Sequence, residues 1–255
     1  MLKKRLIAVI ILRDGQVVQS VQFQHTNVIH YDAIHAIETF NRWSVDEIVF
    51  INVSRTENGK EQFLNIVEKV SEKCFVPLTA GGWITDLDYA CALVSNGADK
   101  LLLNTAFRTN TDLVKQIVRK FGSQCVVASI DFKKTELGAQ VAIDRGQELI
   151  GIHPVEWAQY VQRLGAGELF VNCIDHDGKR RGYAIEELQQ ICQQVDIPVI
   201  AFGGVFTWQH LLQGIEAGAD AVAAANIFHY TEHSTKRAKT FLRSKDIAIR
   251  KEGIL

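Results

Sequence analysis

The feature that most restricts the fold is that the chain repeats itself at half its length. Val76-Pro77-Leu78-Thr79-Ala80-Gly81-Gly82 returns as Ile197-Pro198-Val199-Ile200-Ala201-Phe202-Gly203-Gly204, and Asn96-Gly97-Ala98-Asp99 returns as Ala217-Gly218-Ala219-Asp220. Pro77 and Pro198 lie 121 residues apart, as do Asp99 and Asp220, and Asp46-Glu47-Ile48-Val49-Phe50 aligns with Gly167-Glu168-Leu169-Phe170-Val171 at the same spacing. A duplicated unit must bury its apolar faces against its own copy, so the architecture has to accommodate an internal twofold.

Inside each unit, short β-rich apolar runs alternate with helical periodicity. Strands are expected near 5–12, 47–53, 76–80, 99–103, 124–131, 168–173, 198–202 and 220–224, with helices over segments such as 60–73, 85–96, 111–121, 184–194 and 207–217. Continuous apolar strands followed by helices mark a parallel sheet covered on its outer face. The eight βα units predict an α/β fold, a single (β/α)8 TIM barrel over 1–255 made of half-barrels of about 1–122 and 123–255. An open doubly wound sheet is the alternative, and it does not account for the repeat. Residues 132–150, with alternating Ala139-Gln140-Val141-Ala142-Ile143, suit a β-hairpin insertion, and 13–30 reads as a long polar loop. On a barrel both would lie on the catalytic face.

Composition closes off other classes. With 47% hydrophobic and 22% charged residues and three prolines in 255, the chain is neither disordered nor fibrous. The 28 Lys and Arg balance 29 Asp and Glu, which gives no electrostatic case for nucleic acid, and any anion must be held locally. The five cysteines, Cys74, Cys91, Cys125, Cys173 and Cys192, lack metal-ligand spacing and read as buried thiols of a reducing compartment. The start, Met1-Leu2-Lys3-Lys4-Arg5 followed by a short apolar run ended by Arg13-Asp14, resembles a signal peptide only superficially. It reads as a buried strand of a cytoplasmic protein, with no membrane attachment.

Each half carries Gly-Gly at the end of its third strand and a small or polar pair at the end of its fourth: Gly81-Gly82 with Asn104-Thr105, and Gly203-Gly204 with Ala225-Asn226. Backbone N–H groups at such glycines, beside a helix start, can hold a phosphate. The sixth strand adds Asp177-Gly178. Glycines after strands also simply make tight turns, and both readings stand for any one pair. Two equivalent sites would suit an extended anion with two phosphates.

Phe121-Gly122-Ser123-Gln124, Ile130-Asp131-Phe132-Lys133, Gly165-Ala166-Gly167-Glu168, Asp175-His176-Asp177-Gly178 with Gly182-Tyr183, and Ala224 through Phe228-His229 together resemble the cyclase subunit of imidazole glycerol phosphate synthase. The resemblance extends over essentially the whole chain. It implies a two-half barrel on whose N-terminal face a glutaminase partner docks, sending ammonia through the interior. On the opposite face, an extended bisphosphate is cleaved and cyclised in histidine biosynthesis. The same resemblance implies that Gly82, Asn104, Thr105, Asp177, Gly178, Gly204 and Asn226 line two phosphate sites. It also implies an ammonia entrance ringed by Arg5, Glu47, Lys100 and Glu168, with Asp99 facing the partner. Each ring residue starts a strand, so inward side chains would meet at the barrel's mouth. A salt-bridge cluster that merely closes the floor is the competing reading.

The pattern breaks in the first strand. The resemblance implies an acid–base pair of aspartates at the ends of strands one and five, and proton transfer needs both. Asp131 is present; its counterpart is Ile11, and superimposing the two strands of the repeat exposes the same gap. Asn52 stands where the family has an acid, and Gln19 where it has a lysine. An intact entrance beside an altered reaction zone predicts a diverged paralogue that supplies ammonia to another acceptor. The resemblance implies such proteins in the making of acetamidino sugars of surface polysaccharides, with a third, ligase-like protein. A working histidine-pathway cyclase is the first alternative. A stand-alone phosphosugar isomerase of the sister family is the second, and it also needs the first-strand aspartate.

No cofactor and no metal site are expected. His25, His30 and His35 are spaced by five and share no helical face, His229 reads as a packing or helix-start residue, and Lys179-Arg180-Arg181 as a solvated turn able to steer an anion.

Overall fold

The computed structural model describes residues 3–42, 44–56, 58–230 and 233–250, so Met1 and Leu2 of the signal-like start lie outside the described residues. Eight parallel strands close into a barrel: β1 (Arg5–Arg13), β4 (Glu47–Asn52), β5 (Leu78–Gly81), β6 (Lys100–Leu103), β7 (Val126–Thr135), β10 (Glu168–Cys173), β11 (Val199–Phe202) and β12 (Ala221–Ala224). Closure comes from two pairings, β1 with β12 and β7 with β10. The helices are α1 (Ala33–Arg42), α2 (Asn58–Ser71), α3 (Leu87–Ser95), α4 (Ala106–Thr109), α5 (Thr111–Phe121), α6 (Pro154–Arg163), α7 (Ile185–Cys192), α8 (Trp208–Glu216), α9 (Asn226–Tyr230) and α10 (Ser234–Arg243). Among the described residues no helix is long and apolar enough to cross a membrane.

The period of two along each strand divides the core into two compartments. In β1, Leu6, Ala8, Ile10 and Leu12 face the helices, while Ile7, Val9 and Ile11 face the axis. The axial compartment is small and apolar: Val49, Leu102, Val127, Phe170, Ile200, Phe202, Ala221 and Ala223 join those three. Phe170 and Phe202 pack ring to ring there at 4.8 Å. This is a filled interior of branched and aromatic side chains, as expected for eight strands.

Two hairpins ride on the C-terminal ends of the strands. The insertion after the fifth barrel strand is the expected hairpin: β7 continues to Thr135 and pairs with β8 (Gly138–Ile143), which pairs with the short β9 (Glu148–Leu149). Residues 13–30, expected as a loop, are instead a second hairpin of β2 (Gln16–Val21) and β3 (His25–His30), with β2 extending the edge of β1. Its turn runs through Gln22 and Phe23, both left-handed at φ 52° and 60°. A turn of that geometry normally carries Asn or Gly, and the missing turn residues hid it. The cysteine expectation also needs correction: Cys125 and Cys173 are buried, but Cys74, Cys91 and Cys192 are only half-buried.

The last helix is tied to the beginning of the fold. Lys239 of α10, 1% exposed, pairs with Asp46 at 2.7 Å, and Asp46 also accepts the backbone N–H of Leu6 at 2.8 Å. Burial raises the Asp46 pKa and Lys239 lowers it.

Candidate functional site

At the N-terminal mouth, Arg5, Glu47, Lys100 and Glu168 are the first residues of β1, β4, β6 and β10. They form a closed alternating square. Arg5 donates to Glu47 at 2.6 Å and to Glu168, and Lys100 donates to Glu47 at 3.1 Å and to Glu168 at 2.9 Å. Burial alone would lower the guanidinium pKa of Arg5, but Glu168 and Glu47 hold it above its ordinary value. The two acids are twofold mates in the repeat, whereas the counterparts of the bases are Cys125 and Ala221. Asp99 is outside the square: it is exposed, and its carboxylate accepts the backbone N–H of Leu78 at 2.8 Å.

At the other end stands Asp131, 9% exposed and aimed along the axis. Asn172 donates to one carboxylate oxygen at 2.9 Å; Asn104 at 3.0 Å and Ser129 at 3.2 Å donate to the other. Burial pushes its pKa up to about 6 against these donors, which lower it, and the charge of Asp177 adds to the rise. A carboxyl at that value is ionised at neutral pH yet close enough to take a proton. The sequence reading did not single out Ser129 and Asn172. The signal was there, since both are polar side chains at inward strand positions between apolar ones.

Strand register fixes the relation of Asp131 to Ile11. Asp131 pairs with Asn172 across β7 and β10, and Ile11 pairs with Ile51 across β1 and β4, at the equivalent positions of the repeat. Ile11 is 5% exposed and faces the axis, so the first half offers no carboxyl there. Asn52, expected in the reaction zone, turns the other way. Its register partner Leu12 lies in the outer core, and its amide holds the loop into α2 through Gly59 and Ser54 at 3.0 Å each. One-residue parity separates it from the site.

The second half opens a cavity of about 450 Å³, lined by Gly178, Gly203, Gly204, Ala225, Asn226, Trp208 and the cations Arg180 and Arg237. Gln19 of the first hairpin also lines it. Asp177 borders the cavity, but its carboxylate takes the Ser20 hydroxyl at 2.6 Å and pins that hairpin down. Burial raises its pKa against that bond. Asn226 has a buried side-chain oxygen without a hydrogen-bond partner. Arg180, of the expected steering turn, stands over the Phe206 ring at 4.5 Å.

In the first half the corresponding groups are engaged by other residues. Thr105 accepts the N–H of Asp144 at 3.0 Å, Asn104 serves Asp131, and Gly82 is left-handed at φ 102°, where a Cβ would strike the Asn52 carbonyl. His229 packs against Phe40 at 5.1 Å and His30 at 5.7 Å; burial pushes its pKa down to about 4, so it is neutral at pH 7. His35 reaches His30 at 6.2 Å, and His25 begins β3.

The model of the family described as histidine biosynthesis protein matches residues 5–234. Three curated relatives carry the name imidazole glycerol phosphate synthase subunit HisF. The one from Exiguobacterium sibiricum is 38% identical over 250 residues, 98% of this chain and 100% of the relative. That from Chloroherpeton thalassium is 39% identical over 254 residues, and that from Natranaerobius thermophilus 37% over 251, each with the same coverage.

Proposed function

The chain belongs to the histidine biosynthesis protein family as a cyclase-type subunit similar to that of imidazole glycerol phosphate synthase, and from that premise we propose that it is a diverged ammonia-handling barrel. In this reading a glutaminase subunit docks on the N-terminal face and ammonia enters past Arg5, Glu47, Lys100 and Glu168, with Asp99 facing the partner. It reaches an acceptor other than the cyclase substrate, a sugar destined for surface polysaccharide, with a ligase-like protein as third member. The observation that carries the divergence is Ile11 at the position of the repeat equivalent to Asp131. An isoleucine neither gives nor takes a proton, and loss of one member of an acid–base pair costs about a hundredfold or more.

The ring supports the entrance. Its charges are mutually neutralised, and a neutral amine crosses the apolar interior beyond it at far lower cost than its cation. Asp131 then acts as the proton acceptor at the exit, with Asn104, Ser129 and Asn172 holding its carboxylate in place. The second-half cavity, with the left-handed Gly204 and Gly178 and two arginines, is the phosphate seat. Gel filtration with the candidate glutaminase and assay of glutamine hydrolysis test this reading. Complex formation and stimulated hydrolysis are expected, and neither occurring would sink it.

A working histidine-pathway cyclase is the second reading, favoured by identity spread over 98% of the chain and by an Asp131 pKa of about 6. Growth of a cyclase-deficient histidine auxotroph carrying this chain would establish it and overturn the first. Ile11→Asp would then change little.

A further inference from the structure

The two halves differ one residue beyond their matched glycines. β5 and β11 superimpose at the 121-residue spacing of the repeat, which pairs Gly82 with Gly203 and Trp83 with Gly204. Both members of the second pair are left-handed, Trp83 at φ 61° and Gly204 at φ 77°. Glycine adopts that conformation freely, whereas a side chain is disfavoured there, so an indole in that position is held by its surroundings. Its Nε1 donates to the Ser54 carbonyl at 2.7 Å, and Arg145 and Lys60 stand over the ring at 5.7 and 5.9 Å.

The flanking groups differ in the same sense. Ahead of α8, Thr207 makes no side-chain cap and the first turn holds no acid, so this helix start faces the cavity uncompensated. Ahead of α3, Asp86 accepts the Tyr89 N–H at 2.8 Å and Asp88 follows in the first turn, which puts negative charge where an anion would sit. The Thr105 hydroxyl already receives Asp144, while its counterpart Asn226 lines the cavity.

We infer that Trp83 closes the first-half anion cradle and thereby sets the ligand class: a molecule with a single phosphate, seated in the second-half cavity. This rests on the phosphate reading of that cavity given above. Calorimetric titration of the full chain with inorganic phosphate, with 31P NMR as a second count, tests it. One site per chain is expected for the wild type and two for Trp83→Gly. Trp83→Asn, whose side chain tolerates a left-handed backbone, is also expected to bind two. Two sites in the wild type would leave the cavity reading intact and overturn the role of Trp83, as would one site in both folded variants. No binding to the wild type would remove the cavity reading itself and the single-phosphate class with it. If both variants fail to fold, the wild-type count decides, with one site expected and two overturning the proposal.

Discussion

The two halves of the barrel present different groups at equivalent strand ends. Where β7 presents Asp131 to the axis, β1 presents Ile11; where Gly204 borders a cavity of about 450 Å³, Trp83 lays an indole across the loop. At the opposite mouth the twofold is partly kept, with Glu47 and Glu168 as mates bonded to the same two bases. The floor constrains both halves together, because each acid there completes the other's network. The strand ends above it are also joined across the halves, by Asn104 with Asp131 and Ser20 with Asp177, but there the two halves contribute different groups.

The largest expected effect lies at the floor. Glu47→Gln and Glu168→Gln each strip one acid from a buried square and leave excess positive charge, at a cost of about 3 kcal/mol or more in urea unfolding. The costs should be equal within about 0.5 kcal/mol, since each acid contacts both Arg5 and Lys100; a larger gap would break the equivalence of the halves at this end.

Next comes the pH response of Asp131, which Ile11 cannot match. The folded-state pKa, about 6, is above the ordinary 3.8, so the folded protein holds this proton more tightly than the unfolded chain. Stability from this group is present below pH 4, falls as pH rises from about 4 to about 6, and is then level, a loss on the order of 3 kcal/mol. Asp131→Asn should flatten that slope in unfolding measured across the window. An unchanged slope would mean that the carboxyl is not buried as described.

The smallest contrast is at the helix starts. Asp86→Ala removes a real cap and should lower stability by about 1 kcal/mol, whereas Thr207→Ala, which loses no cap bond, should change it by less than about 0.5 kcal/mol in thermal unfolding. Equal losses would mean that the two helix starts are alike.

The barrel was legible because duplication and strand periodicity are both written in apolar residues. The observed β10 coincides with the expected 168–173 and α5 with 111–121, where the pattern is strong. The first hairpin was not legible, because His25–His30 faces solvent and carries little alternation, and its turn lacks glycine. Within the site, Ile11 opposite Asp131 followed from the repeat, since an absent acid needs only alignment. Asn52 misled because sequence distance from a strand end does not give the side-chain face, and Trp83 went unnoticed because Gly81-Gly82 seemed to match Gly203-Gly204. Strand register moves that match by one residue.

The Lys239–Asp46 pair has a consequence for synthesis. A ribosome releases the first half-barrel long before Lys239 emerges, and until then the carboxylate of Asp46 has no cation to accompany it into the interior. Burial of that carboxylate beside Leu6 is therefore favoured only once α10 has arrived, which couples the final packing of β1 against β4 to a helix formed much later in the chain.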